Sequence, residues 1–242
     1  MTSVGVGLIV PSSNTCLEPL VARLFADDPA RLHVTRLRVT RIGLDGDASS
    51  QFAPASMLAA AGLLADAGVD VICWGGTSGS WLGIQADRDL CRRLSAATGV
   101  PATTSTLAVL GALQALGIDR VGLAVPYTSE VGTAIAAGYA ETGLSCPTTM
   151  CLGIERNADF ADVPAEVIDG LVRSAAVPEV QGVAVVCTNL PATDRVAALE
   201  AELGLPVVDS IAATVWQLRR LLGWTTPIAG RGALLAGVLS PT

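Results

Sequence analysis

Gly7-Leu8-Ile9-Val10-Pro11-Ser12-Ser13-Asn14 carries an apolar run straight into a polar turn, and Gly122-Leu123-Ala124-Val125-Pro126-Tyr127-Thr128-Ser129 does the same. Two further pairs follow in the same order. Trp74-Gly75-Gly76-Thr77-Ser78 matches Val185-Val186-Cys187-Thr188-Asn189, and Gly99-Val100-Pro101-Ala102-Thr103-Thr104-Ser105 matches Gly204-Leu205-Pro206-Val207-Val208-Asp209-Ser210. Ordered matches at similar separations indicate a duplicated unit, with a period too long for a solenoid repeat. Outward from these stretches, strand-like runs alternate with alanine- and leucine-rich helical patterns, among them Thr193 to Leu203 and Ser210 to Leu222. Uninterrupted apolar strands in such alternation predict parallel sheets covered on both faces. The expected fold is therefore α/β: two pseudo-symmetric domains, each a four-stranded parallel sheet flanked by helices. The first half spans 1–115 and the second 116–210. Residues 211–242 are expected to pack back onto the first half, with the tail Ala229 to Leu235 as a loop.

The chain has 242 residues, enough to bury a sizeable core, and is 51% hydrophobic. Its apolar stretches still fall short of the roughly 18 residues that a membrane span needs. Val4 to Val10 enters a strand with no basic region or cleavage site before it, so no secretory signal is read and a cytoplasmic location is expected. The net charge is −7 without a basic run, which argues against nucleic acid and for a small-molecule partner. The six cysteines, Cys16, Cys73, Cys91, Cys146, Cys151 and Cys187, form no C-x-x-C pair and read as free thiols. A single histidine, His33, argues against a multi-histidine metal site and a Ser-His-Asp triad.

Cys187 is the leading candidate for chemistry. It ends an apolar strand beside polar Thr188 and Asn189, where open α/β sheets place ligands. A helix start beyond it is expected to lower the thiol toward thiolate. Gly75 to Trp81 offers glycines for close backbone approach, and hydroxyls from Thr77 and Ser78. It fails as a nucleophile elbow, because Ser80 stands where the last glycine belongs and no histidine follows. Asn14 could donate an amide to a carboxylate, and Tyr127 a phenol to an oxyanion. None of the four loops holds Lys or Arg, so an anion there would be held by neutral donors. No dinucleotide fingerprint or P-loop appears, so no nucleotide cofactor is expected.

V-G-L-I-V-P-S-S-N, the G-T-S turn, V-P-Y and V-V-C-T-N resemble the aspartate/glutamate racemase superfamily, in the branch of maleate cis-trans isomerases and arylmalonate decarboxylases. The likeness runs from Val4 to about Leu222. It implies an active site between two α/β domains and chemistry without cofactors. Two-cysteine members carry a first thiol where this chain has Gly76; the decarboxylases keep only the second, matched by Cys187. Gly76-Thr77-Ser78 resembles their oxyanion turn, and Tyr127 matches a tyrosine of both branches. Asn14 resembles the isomerases' carboxylate-binding asparagine, and Thr188-Asn189 stands where the decarboxylases have glycines.

Racemisation needs an acid and a base on opposite faces of one carbon, and the isomerases rely on the first-half cysteine as nucleophile. Decarboxylation needs one proton source and a cradle for an enediolate. The first expectation is thus a decarboxylase of a substituted malonate, with Cys187 as proton donor and Thr77, Ser78, Tyr127, Thr188, Asn14 and Gly76 as the carboxylate cradle. An isomerase or racemase, with Cys16 or Cys73 standing in, and a non-catalytic carboxylate-binding protein are the alternatives. The expected partner is a small dicarboxylate, and homo-oligomerisation is left open. Gly76→Cys is expected to create racemase activity.

Overall fold

A computed structural model describes residues 4–237. β1 (Val4–Pro11) is buried along nearly its whole length, as a central parallel strand must be. α1 (Leu17–Leu24) follows, and β2 (Ala30–Leu37) pairs parallel to β1 with Gly7 opposite His33. α2 (Gly46–Ser50) and α3 (Pro54–Asp66) lead to β3 (Val71–Trp74), buried at all four residues. α4 (Gly79–Leu82), α5 (Ile84–Thr98), β4 (Ala102–Thr104) and α6 (Ser105–Ala115) complete this half. The sheet is parallel in the order β2-β1-β3-β4.

The second half repeats the plan. β5 (Arg120–Val125), α7 (Ser129–Ala140), β6 (Ser145–Cys151) and α8 (Ala165–Ala175) are followed by β7 (Gly182–Val185), α9 (Val196–Leu203) and β8 (Val207–Asp209). A 3-10 turn over Asn157–Asp162 lies between β6 and α8. The order β6-β5-β7-β8 is again parallel. The third sequence match has a local cause. Gly99 and Gly204 end α5 and α9 in the left-handed region, at φ 73° and 65°, a conformation that glycine adopts without a Cβ penalty.

α10 (Ser210–Leu221) crosses to the first half and packs on α6 and α1. Thr214 Oγ1 donates to Ser105 Oγ at 2.7 Å, and buried Arg219 pairs with Asp28 at 3.1 Å. The tail differs from the expected loop: α11 (Ala233–Ala236) forms one helical turn against α10. α9 also starts three residues later than the alanine pattern suggests, because Thr193 is held by its hydroxyl on Asp209 Oδ2 at 2.7 Å. Among the described residues no helix is long and apolar enough to cross a membrane.

Each sheet reverses its strand order between its first and third strands, β1 and β3 in one, β5 and β7 in the other. Ligands of open α/β sheets bind beyond the carboxyl ends of strands at such switch points. The loops leaving these four strands are the four polar stretches of the internal repeat. The two switch points face each other and share one cavity.

Candidate active site

The cavity is lined by Gly76, Thr77 and Ser78 from the first half and by Tyr127, Cys187 and Thr188 from the second. Its wall contains no Lys, Arg, Asp or Glu. Its volume is about 20 Å³, room for about one water. The strap that closes it runs through a backbone bridge between the halves. Ile42 N donates to Glu155 O at 2.8 Å, and Asn157 N to Thr40 O at 3.0 Å. A dicarboxylate needs this cleft to widen.

Cys187 lies two residues past β7 and is 2% exposed. Its Sγ accepts the Asn189 N–H at 3.3 Å, and the Tyr127 phenol shares the cavity wall with it. Burial outweighs the influence of both neighbours, which favour thiolate, and pushes the thiol up to about 12. This corrects the expectation of a lowered pKa. The helix start beyond it is at Val196, nine residues on, so Cys187 is not in the first turn of α9. The group is a neutral S–H, suited to give a proton rather than attack as an anion.

The donors facing it are interlinked. Thr77 Oγ1 and Tyr127 OH are 3.1 Å apart, and Trp74 Nε1 donates to Ser78 Oγ at 3.1 Å. Burial raises the Tyr127 phenol well above its ordinary value, so it too stays protonated. Around them Phe52, Trp74, Trp81, Tyr127 and Phe160 meet edge to face, with neighbouring centroids 5.3 to 6.2 Å apart. Neutral N–H and O–H dipoles in such a dry wall stabilise charge more than they would in water.

Asn14 stands apart from this group. Its Oδ1 accepts from Cys16 N and Leu17 N, each at 3.0 Å, which caps the approach to α1. Its Nδ2 donates to Thr188 O and Thr188 Oγ1, each at 3.1 Å. The amide ties the halves together and does not line the cavity. Thr188 lines it, but its hydroxyl donates to Gly75 O at 2.8 Å. Cys16 and Cys73 do not line it either; burial raises both thiols, Cys16 to about 11.

Asn157, Trp74 and Trp81 are among the lining residues to which the sequence reading gave no role. Asn157 donates to Ser13 Oγ at 2.8 Å and accepts from Asn189 Nδ2 at 2.6 Å through its backbone oxygen. Trp74 and Trp81 read as ordinary apolar positions, although two tryptophans flanking G-G-T-S were a usable signal. The expectation for Gly76→Cys meets a steric conflict. A β-carbon at Gly76 would lie 2.5 Å from Cε2 and 2.9 Å from Nε1 of the buried Trp74 ring. No thiol fits there while that ring stays in place.

The chain is similar to known proteins over nearly its whole length. The arylmalonate decarboxylase family model matches residues 6–235. The chain is 34% identical over 222 residues to an arylmalonate decarboxylase of Bordetella bronchiseptica, covering 90% of each. A crystal structure of arylmalonate decarboxylase superposes with a TM-score of 0.81 at 33% identity, covering 96% of this chain and 98% of that one. The maleate isomerase Iso of Pseudomonas putida S16 superposes with a TM-score of 0.89 at 26% identity, covering 97% and 98%. With a match over nearly its whole length, the chain belongs to the arylmalonate decarboxylase family.

Proposed function

We propose that this protein is a cofactor-independent decarboxylase of substituted malonates. The observation that carries the reading is a lone buried thiol in an uncharged cavity, with the Trp74 ring occupying the space where a side chain at Gly76 would begin. One substrate carboxylate is held by Thr77, Ser78 and Tyr127. The other faces hydrocarbon, where losing charge as carbon dioxide is favoured. The C–C bond breaks and its electron pair stays on the remaining fragment as an enediolate. The neutral donors hold that charge better than they hold the substrate, which is what accelerates the step. The Cys187 S–H proton then goes to the α-carbon, and the resulting thiolate takes a proton from water.

The test is incubation with methylphenylmalonate and a panel of disubstituted malonates, following carbon dioxide and product by NMR. Release of carbon dioxide with one enantiomer of a 2-aryl acid is expected. No turnover of any malonate, with conversion of maleate to fumarate, would overturn the proposal in favour of isomerisation. The isomerase reading draws on Thr188-Asn189 and on the similarity to maleate isomerases. Against it stands Gly76, because the isomerases rely on a first-half cysteine as covalent nucleophile and this chain has none there. Tight binding of a dicarboxylate recovered unchanged would point instead to a non-catalytic carboxylate-binding protein.

A further inference from the structure

We propose that Trp74 determines the facial selectivity of the reaction, its indole filling the first-half position that an opposing acid–base group would need and its N–H fixing Ser78. The inference rests on the decarboxylase reading and deepens it. Trp74 ends β3, is completely buried, and is among the largest buried side chains of the protein. Its ring lies against the Cα of Gly76, the residue that matches Cys187 in the internal repeat.

Two restraints keep the ring there. Nε1–H donates to Ser78 Oγ at 3.1 Å, and Phe52 packs edge-on with a centroid distance of 6.2 Å. Swinging the ring out would break a buried hydrogen bond and open a void in close-packed hydrocarbon. The bond also directs a proton. Trp74 supplies a donor to the Ser78 oxygen, and among the described residues the Ser78 hydroxyl hydrogen has no acceptor of its own. That hydrogen is left for the substrate carboxylate.

A planar enediolate in the cavity would then meet the Cys187 S–H on one side and an indole on the other. An indole carbon face neither gives nor removes a proton at neutral pH. Protonation comes from the second half alone, and the product acid cannot be reopened from the opposite face. Position 76 alone does not set this outcome: a thiol introduced there needs the ring removed first.

Two measurements test the assignment. The first is a stability cycle without substrate. Gly76→Ala should lower Tm by about 6 °C in the parent and by about 2 °C or less in a Trp74→Leu background, since overpacking is relieved when the ring is gone. Equal losses in the two backgrounds would overturn the packing on which the inference stands. The second is α-deuterium exchange of 2-phenylpropionate in D2O. Gly76→Cys alone should exchange no faster than the parent, and Trp74→Leu/Gly76→Cys should exchange at least about 100-fold faster than Gly76→Cys, as expected for a restored acid–base partner. A single Gly76→Cys variant that exchanges faster than the parent, or a folded double variant as slow as the single one, would overturn it. Should Trp74→Leu not fold, Trp74→Met carries the same comparison. A parent that releases no carbon dioxide from any malonate counts against the decarboxylase reading alone, because the stability cycle is read without turnover.

Discussion

Replacing Tyr127 by Phe removes one oxygen from the cleft and leaves the ring. The ring contacts are independent of that oxygen: Trp81 and Phe160 each lie with centroids 5.3 Å from Tyr127, and Phe preserves both. The lost hydroxyl is hydrogen-bonded to Thr77 Oγ1 at 3.1 Å and shares the cavity wall with Cys187. Thr77 is 3% exposed, so its hydroxyl loses that partner out of reach of bulk water. Leaving a buried polar group without its partner costs about 1–3 kcal/mol, or a Tm lower by about 2–10 °C for a chain of this size. The catalytic loss should be larger. One oxyanion donor contributes about 100- to 1,000-fold to kcat. Because the bond tightens as the enediolate forms, KM should change little. Loss of the Tyr127 hydroxyl also removes one of the two influences that pull the Cys187 thiol down. Initial rates of carbon dioxide release from methylphenylmalonate, with circular dichroism to check folding, decide the matter. A folded Tyr127→Phe variant with kcat within about 3-fold of the parent would refute the oxyanion role.

Asn14→Ala removes the two acceptor bonds that start α1 and the two donor bonds to Thr188, so Tm should fall by about 5–10 °C while KM stays near the parent value; an unchanged Tm by calorimetry would contradict the clamp. Burial raises Asp209 from 3.8 to about 6. A carboxyl raised on folding contributes stability that is full below its unfolded pKa and is lost as pH rises through the folded one. Parent stability in urea should therefore fall relative to Asp209→Asn between pH 4 and 7, by up to about 2–3 kcal/mol; a constant difference would show that the group is not raised. Arg219→Met leaves Asp28 half-enclosed without its cation and should cost about 3 kcal/mol by urea denaturation, recovered in part by adding Asp28→Asn; no recovery in the double variant would argue that Arg219 acts through packing alone.

The architecture was largely legible in the chain because its signals are local. Apolar runs such as Val71–Trp74, left-handed caps at Gly99 and Gly204, and proline after each cap mark the same plan twice. The loops that bear Thr77, Ser78, Tyr127 and Cys187 were legible for the same reason: they follow strands at switch points. What escaped depends on distant partners. Asn157 reaches Ser13 across 144 residues of sequence, and no motif marks that approach. The direction of the Asn14 amide is set by Thr188, 174 residues away. The Cys187 pKa was misjudged because burial, which depends on how the two halves pack, is the dominant influence on the thiol. Trp74 was visible as a residue, but its bearing on Gly76 depends on a rotamer that only packing fixes.

The most direct measurement is Cys187→Ala assayed on methylphenylmalonate. With the thiol gone, the enediolate loses the acid assigned to protonate its α-carbon. General-acid catalysis of this kind supplies about 100- to 10,000-fold, so carbon dioxide release should fall by at least about 100-fold with the circular dichroism spectrum unchanged. A folded alanine variant that still forms one enantiomer of the acid at the parent rate would contradict a proton delivered by Cys187.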